Sequence, residues 1–155
     1  MIMNTLMTAD RLFSLVFTRE ESYNAAVIMP VDIAEVESRY LVPVVGSALY
    51  EAMQGGKYVE LVEGYVAPMV AAWVRYVVEP HLASRCCIYH TQRDITESVN
   101  ENSARVMRAL RAKAVALTRR LSDHLNAHSS DYVEYDPNVN PLNRCFIYGD
   151  IVQVY

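Results

Sequence analysis

Apolar residues recur at steps of three and four along several stretches of the chain, and those stretches mark its helices. The first is Thr5 to Phe17, where Leu6, Leu12, Phe13, Val16 and Phe17 make one apolar face and Thr8 stands where a helix N-cap is expected. Ala25 to Met29 is apolar and partly β-branched, which predicts an extended segment ended by Pro30. From Val31 to Leu41 the spacing of Ile33, Val36, Tyr40 and Leu41 predicts a helix with one buried face. Asp32 and Glu35 have the spacing of a capping box, and Pro43 is expected to stop the helix. Ser47 to Met53 makes a further short helix, closed by Gly55 and Gly56.

Between Lys57 and about Tyr89 apolar side chains fall nearly all round the helical wheel, from Val59 through Trp73 to Val78. That pattern predicts a helix in the middle of a bundle, started, kinked or divided at Pro68 and Pro80. Its most apolar part, Tyr65 to Val78, is shorter than the ~20 residues a membrane span needs, so a core helix is expected and no membrane anchor. Polar residues Thr91 to Ser103 read as a connection. Met107, Leu110, Ala114, Leu117, Leu121, His124 and His128 then form a heptad-like stripe. After Ser130 the sequence Asp-Tyr-Val-Glu-Tyr-Asp-Pro-Asn turns the chain, and two β-prone runs around Gly149-Asp150 predict a terminal β-hairpin. The expected fold is mainly α, a small helical bundle over residues 1–130 with a turn-rich tail, 131–155, that ends in the hairpin and belongs to the same single domain. An isolated hairpin is marginal in water, so this one must pack on the bundle or pair with another chain, and Phe146, Tyr148, Ile151, Val152, Val154 and Tyr155 are its candidate subunit-interface residues.

Composition narrows the function. The 155 residues are 52% apolar and 21% charged, which fits one folded domain and excludes disorder as the main state. Three cysteines, two of them adjacent at Cys86 and Cys87, make no disulfide framework. No secretory signal is visible in Met1 to Asp10, so the protein is expected to act where it is made. Charge is distributed unevenly: residues 1–64 carry 4 Lys/Arg against 9 Asp/Glu, residues 65–130 carry 9 against 5, and residues 131–155 carry 1 against 4. Segments of net -5, +4 and -3 argue against a general polyanion binder and suit patches that meet complementary patches on another copy or another protein.

Candidate chemistry is sparse. His81, Cys86, Cys87 and His90 lie within ten residues, and His124 and His128 are one helical turn apart, but none of the established zinc spacings is present. Buried thiols and capped histidines account for them, so no metal or other cofactor is expected. Gly-x-Ser-x-Gly, His-Glu-x-x-His, a P-loop and a dinucleotide fingerprint are all absent, and the chain reads as a non-enzyme. A run of cations, Arg105, Arg108, Arg111, Lys113, Arg119 and Arg120, is the candidate charged patch. It supports a DNA-binding or regulatory reading, against which stand its spread around the helix, the lack of interleaved aromatics and the acidic remainder of the chain. Among eleven tyrosines, Tyr132, Tyr135, Tyr148 and Tyr155 fall in the tail and are expected at interfaces.

The order of segments resembles the head-tail connector (adaptor) proteins of tailed phages and prophages. The resemblance is carried by Leu6-Met-Thr-Ala-Asp-Arg-Leu12, by Val31-Asp-Ile-Ala-Glu35 through Tyr40 to Gly46-Ser-Ala-Leu-Tyr50, and by Tyr65-Val-Ala-Pro-Met69, Trp73-Val74 and Glu79-Pro80. It continues in Arg120-Leu121, His124-Leu125 and Tyr132-Val-Glu-Tyr135. It implies a helical subunit, made in the cytoplasm of a bacterial host and built into the virion. Such subunits form a homo-oligomeric ring between portal and tail proteins, through which DNA passes without sequence recognition, and they have no catalytic residues.

Overall fold

Proline sets the shape of two helices by widening them rather than ending them. The structure, a computed structural model, describes residues 5–19, 21, 23–82, 97–148 and 151–154, with side chains for those up to 82 and for 103–144. Helix α1 is Ala9–Val16 and α2 is Pro30–Val36. A π-helical stretch, Glu37–Leu41, follows α2 and runs directly into α3, Val42–Val45. Pro43 therefore does not stop the helix as expected from sequence; the chain stays helical until Gly46, whose φ of 82° needs a glycine. The physical reason repeats later. A five-residue π stretch, Val62–Val66, again sits two residues before a proline, Pro68, and joins α5, Val59–Leu61, to α6, Ala67–Val78. A proline in a regular helix clashes with the carbonyl four residues back, and a wide turn moves that carbonyl aside.

Local chemistry explains the other boundaries. Thr8 occupies the N-cap of α1 without a side-chain cap bond. Pro30 opens α2, and the Asp32 carboxylate accepts the Met29 amide at 2.8 Å, so the carboxylate of the box belongs to the turn begun by Met29. Ala25–Val27 is a 3-10 turn rather than an extended segment, because the Asn24 side chain accepts the Ala26 amide at 2.9 Å and curls the chain. Helix α4 is Ser47–Gln54. Pro80 starts a 3-10 turn, Glu79–His81, and the long helix α7 is Glu97–Ala127. Residues 97–103, expected in a connection, are thus helical, whereas 91–96 lie outside the described residues.

Helix α6 is the middle of the bundle, as its all-round apolar pattern predicts. It packs against α1, α2 and α7, and Ala67, Met69, Val70, Ala71, Ala72, Trp73, Val74 and Val78 are all buried. By length and composition Val59–His81 is apolar enough to cross a membrane, yet 56% of its most apolar window is buried inside this bundle. Trp73 stacks on Tyr40 at 3.8 Å between centroids and donates its indole N–H to the Thr118 hydroxyl at 2.9 Å, which fastens α7 to α6. The buried side of α7 is Ala114, Thr118, Leu121, Ser122 and Leu125. That differs from the expected stripe: His128 is exposed, and Met107, Leu110 and Leu117 are only half-buried. A straight helix drifts from a seven-residue repeat, and among the described side chains of α7 full burial begins only at Ala114.

Two further clamps complete the body. Glu37, 2% exposed, accepts the Leu6 amide at 3.0 Å, the Met7 amide at 3.2 Å and the Tyr50 hydroxyl at 2.6 Å, and so ties the N-terminal arm to the core. After α7 the tail folds back. Asn140, fully buried, donates to the Ser122 hydroxyl at 2.8 Å and to the Tyr135 hydroxyl at 2.9 Å. Tyr135 is a core residue, 6% exposed, and not the interface residue expected from its place in a polar tail. Beyond Arg144 only backbone is described, in which β1, Cys145–Tyr148, pairs antiparallel with β2, Ile151–Val154, with Cys145 opposite Val154 and Tyr148 opposite Ile151.

Candidate interaction surface

A helix of 31 residues is about 46 Å long, more than the bundle needs to cover α6. From Ser103 to Lys113 no residue of α7 is fully buried; burial begins at Ala114. The first half of the described helix is therefore an arm. Val106 on it is 42% exposed, and Met107 and Leu110 are half-buried. Arg105, Arg108, Arg111 and Lys113 stand exposed on the arm, and Arg119 and Arg120 continue the basic run along the packed half. At about 100° per residue the six spread over roughly 200° of the helix circumference.

Their chemistry is unspent. Among the described residues the ion pairs are Arg11 with Glu63, Arg39 with Glu35, Lys57 with Glu134, and Arg75 with both Glu21 and Glu79. None includes a cation of the run. Arg108 touches only the carbonyl of Ala104, at 3.3 Å, and the Arg120 guanidinium lies 5.0 Å from the Tyr65 ring centroid. No acidic residue occurs between Ser103 and Ser122 to neutralise them along the helix. Six cations without an ion pair among the described residues, flanked on the helix by Glu101 and Asp123, leave a net positive field that attracts an acidic surface.

Under the arm lies a cavity of about 150 Å³ lined by Val16, Glu21, Ala72, Arg75, Leu110 and Lys113. Arg75 is its charged centre. Its Nη2 meets Glu21 and its Nε meets Glu79, each at 2.7 Å, and its guanidinium carbon is 4.1 Å from the Phe17 ring centroid. The Nη1 group is buried without an acceptor among the described residues. Burial opposes ionisation of Glu21, but the Thr18 amide and the Arg75 guanidinium outweigh it and hold its carboxyl below the usual range. The two carboxylates neutralise the guanidinium, so this cluster is a fastening between α6 and the segment that follows α1 rather than an open anion site.

At the other end of α7 the His124 ring stacks on Tyr65 at 4.0 Å, meets the His128 ring at 4.5 Å and shares a 2.9 Å hydrogen bond from Nε2 to the Tyr132 hydroxyl. His128 Nδ1 sits 3.0 Å from the His124 carbonyl, so helix-end satisfaction accounts for it. Burial, then the nearby His128 and Arg120 charges, push the His124 ring below the usual histidine range. Beside it the Glu134 carboxylate accepts from the Tyr58 hydroxyl at 2.5 Å and from Lys57 at 2.9 Å, which hold its carboxyl down to about 2. Tyr132, expected at an interface, is spent on this intramolecular contact.

No protein-family model, curated protein or solved structure matches this chain. Of the hairpin candidates, Phe146, Tyr148, Ile151, Val152 and Val154 are described as backbone alone, and Tyr155 lies outside the described residues. Cys86, Cys87 and His90 lie outside them too, while His81 is exposed. Among the described residues no three His, Cys, Asp or Glu side chains converge as metal ligands. Sequence reasoning missed Glu37 and the Arg75 cluster. One signal was present for the latter: Arg75 is the single charge in the Tyr65 to Val78 stretch, with Glu79 one turn away.

Proposed function

We propose that the chain is a non-enzymatic assembly protein, a ring-forming connector subunit that joins the portal of a filled phage head to the tail and leaves a passage for DNA. The observation that carries this reading is the arm of α7, whose cations make no ion pair among the described residues and stand with half-buried apolar side chains. Exposed charge of one sign with apolar side chains among it is a binding surface for another protein. The resemblance of the segment order to connector proteins supplies the context, namely a virion, portal and tail partners, and DNA in the lumen. The terminal hairpin is proposed as a second assembly element: a two-stranded ribbon gains stability by pairing with or packing on another chain.

Deleting residues 145–155 tests this role. The truncated chain is expected to keep the far-ultraviolet circular dichroism of the helical body and to lose assembly, and a truncated chain that assembles like the full one refutes it. A second reading, a DNA-binding or regulatory protein, is favoured by the same six cations, none of which makes an ion pair among the described residues. It requires duplex binding that weakens steeply with salt. Duplex binding by monomers under conditions in which no assembly forms selects this second reading over the connector.

A further inference from the structure

We infer that the α7 arm docks on a second copy of this chain, on the acidic surface formed by the start of α1 and the α5–π stretch. The inference deepens the connector reading and rests on it. The Arg11–Glu63 ion pair places the first turn of α1 beside the Val62–Val66 stretch. Asp10 precedes Arg11, and Glu60 lies one helical turn before Glu63. Asp10, Glu60 and Glu63 are all exposed, and of the three only Glu63 is paired with the Arg11 guanidinium among the described residues. Neither Asp10 nor Glu60 makes a hydrogen bond or ion pair among the described residues. The neighbouring Lys57 is already held by Glu134. Asp10, Glu60 and Glu63 thus outnumber Arg11 and the Arg120 that lies over Tyr65, while residues 97–113 of α7 carry four cations against Glu97 and Glu101.

Each surface also exposes a valine. Val106 is 42% exposed on the arm, and Val59, next to Glu60, is 59% exposed. Opposite charge with an apolar contact at each centre is the complementarity that sets register and partner choice in protein interfaces. Within one copy it is the packed half of α7, through His124 and Arg120, that lies against Tyr65 of the π stretch, whereas Leu110 and Lys113 of the arm lie by Val16, Glu21, Ala72 and Arg75. The two surfaces also differ from each other. A contact between two different patches of one chain is heterologous, and it closes into a ring when the rotation per subunit divides a full turn. The same observation that makes the arm sticky thus gives the geometry that a connector needs.

The test is a charge-swap mixture followed by light scattering. Arg105→Glu/Arg108→Glu/Arg111→Glu reverses the arm, and Asp10→Lys/Glu60→Lys reverses its receiving surface. Each variant alone is expected to lose at least about tenfold in association constant, because like charges then face each other. Mixed one to one, the two are expected to restore association, since the acidic arm of one meets the basic surface of the other and the converse contact joins a wild-type arm to a wild-type surface. Wild-type assembly is expected to weaken as ionic strength rises from about 50 to about 500 mM. Variants that assemble like wild type, or wild-type assembly indifferent to salt, overturn this contact and leave the ring standing. A wild-type chain that never associates overturns both. Circular dichroism and the Trp73 emission of each variant check folding, and the salt series on wild type keeps the inference falsifiable should a variant misfold.

Discussion

Replacing Thr118 by valine removes one hydroxyl from the contact that fastens the long helix to the core. Thr118 is buried at 9% exposure; its Oγ1 accepts the Trp73 indole N–H at 2.9 Å and donates to the Ala114 carbonyl at 2.8 Å. Valine keeps the volume, so no cavity opens, and its helix propensity is close to that of threonine. The back-bond to Ala114 costs little to lose, because such i to i-4 bonds compete with the helix ladder. The remaining effect is a stranded indole N–H in a site where Trp73 is only 6% exposed. An unsatisfied buried donor costs about 1–3 kcal/mol. For a chain of this size that is a fall in Tm of about 3–10 °C. The assay is equilibrium unfolding in urea, followed by circular dichroism and by the emission of Trp73, the single tryptophan of the chain. Thr118→Ser keeps the acceptor and is expected to lose less than Thr118→Val. A valine variant within about 0.5 kcal/mol of wild type, or a serine variant as unstable as the valine one, refutes the assigned role.

Further outcomes follow from the other clamps. Glu37→Ala removes the acceptor of two backbone amides and a tyrosine hydroxyl; relief of the buried carboxylate offsets part of the loss, leaving about 2–4 kcal/mol of destabilisation and faster proteolysis near Thr5, read by unfolding and timed digestion. Asn140→Ala removes the donor to the Ser122 and Tyr135 hydroxyls and the acceptor of the Leu142 amide, while Tyr135 keeps its bond to Asn126; the cost is about 1–3 kcal/mol, and protease cleavage within 131–144 is expected to quicken. Burial, then His128 and Arg120, lower the pKa of His124 in the fold, so the folded state favours the neutral ring. Its contribution is complete above the ordinary histidine value, about 6.5, and is lost as pH falls through the lowered one. Tm is thus expected to drop on acidification below about pH 6.5 and to drop less in His124→Gln, and identical pH profiles contradict the assignment.

Periodicity made the helices legible because apolar spacing is a local property, and it placed α6 correctly in the middle of the bundle. It misread Pro43 because the rule that proline ends a helix assumes regular turns; the π stretches ahead of Pro43 and Pro68 are backbone adjustments with no signature in the spacing of apolar residues. Tyr135 and Asn140 were hidden for a different reason. Both sit in a polar, turn-rich segment, and only the return of that segment over Ser122 buries them. Thr118 and Ser122 fell outside an apolar stripe although they face the core, since a hydroxyl bonded to an indole or an amide is as acceptable there as a methyl. The basic run was visible in the sequence. That its first cations lie ahead of the buried part of α7, without an ion pair among the described residues, depends on where α6 ends against α7, which is a tertiary fact.

The absolute mass of the purified full chain, measured by light scattering across a wide concentration range with electron microscopy of the largest species, tests the assembly account most directly. Closed rings of one defined mass with an open lumen are the predicted result. A chain that remains monomeric at every concentration contradicts it.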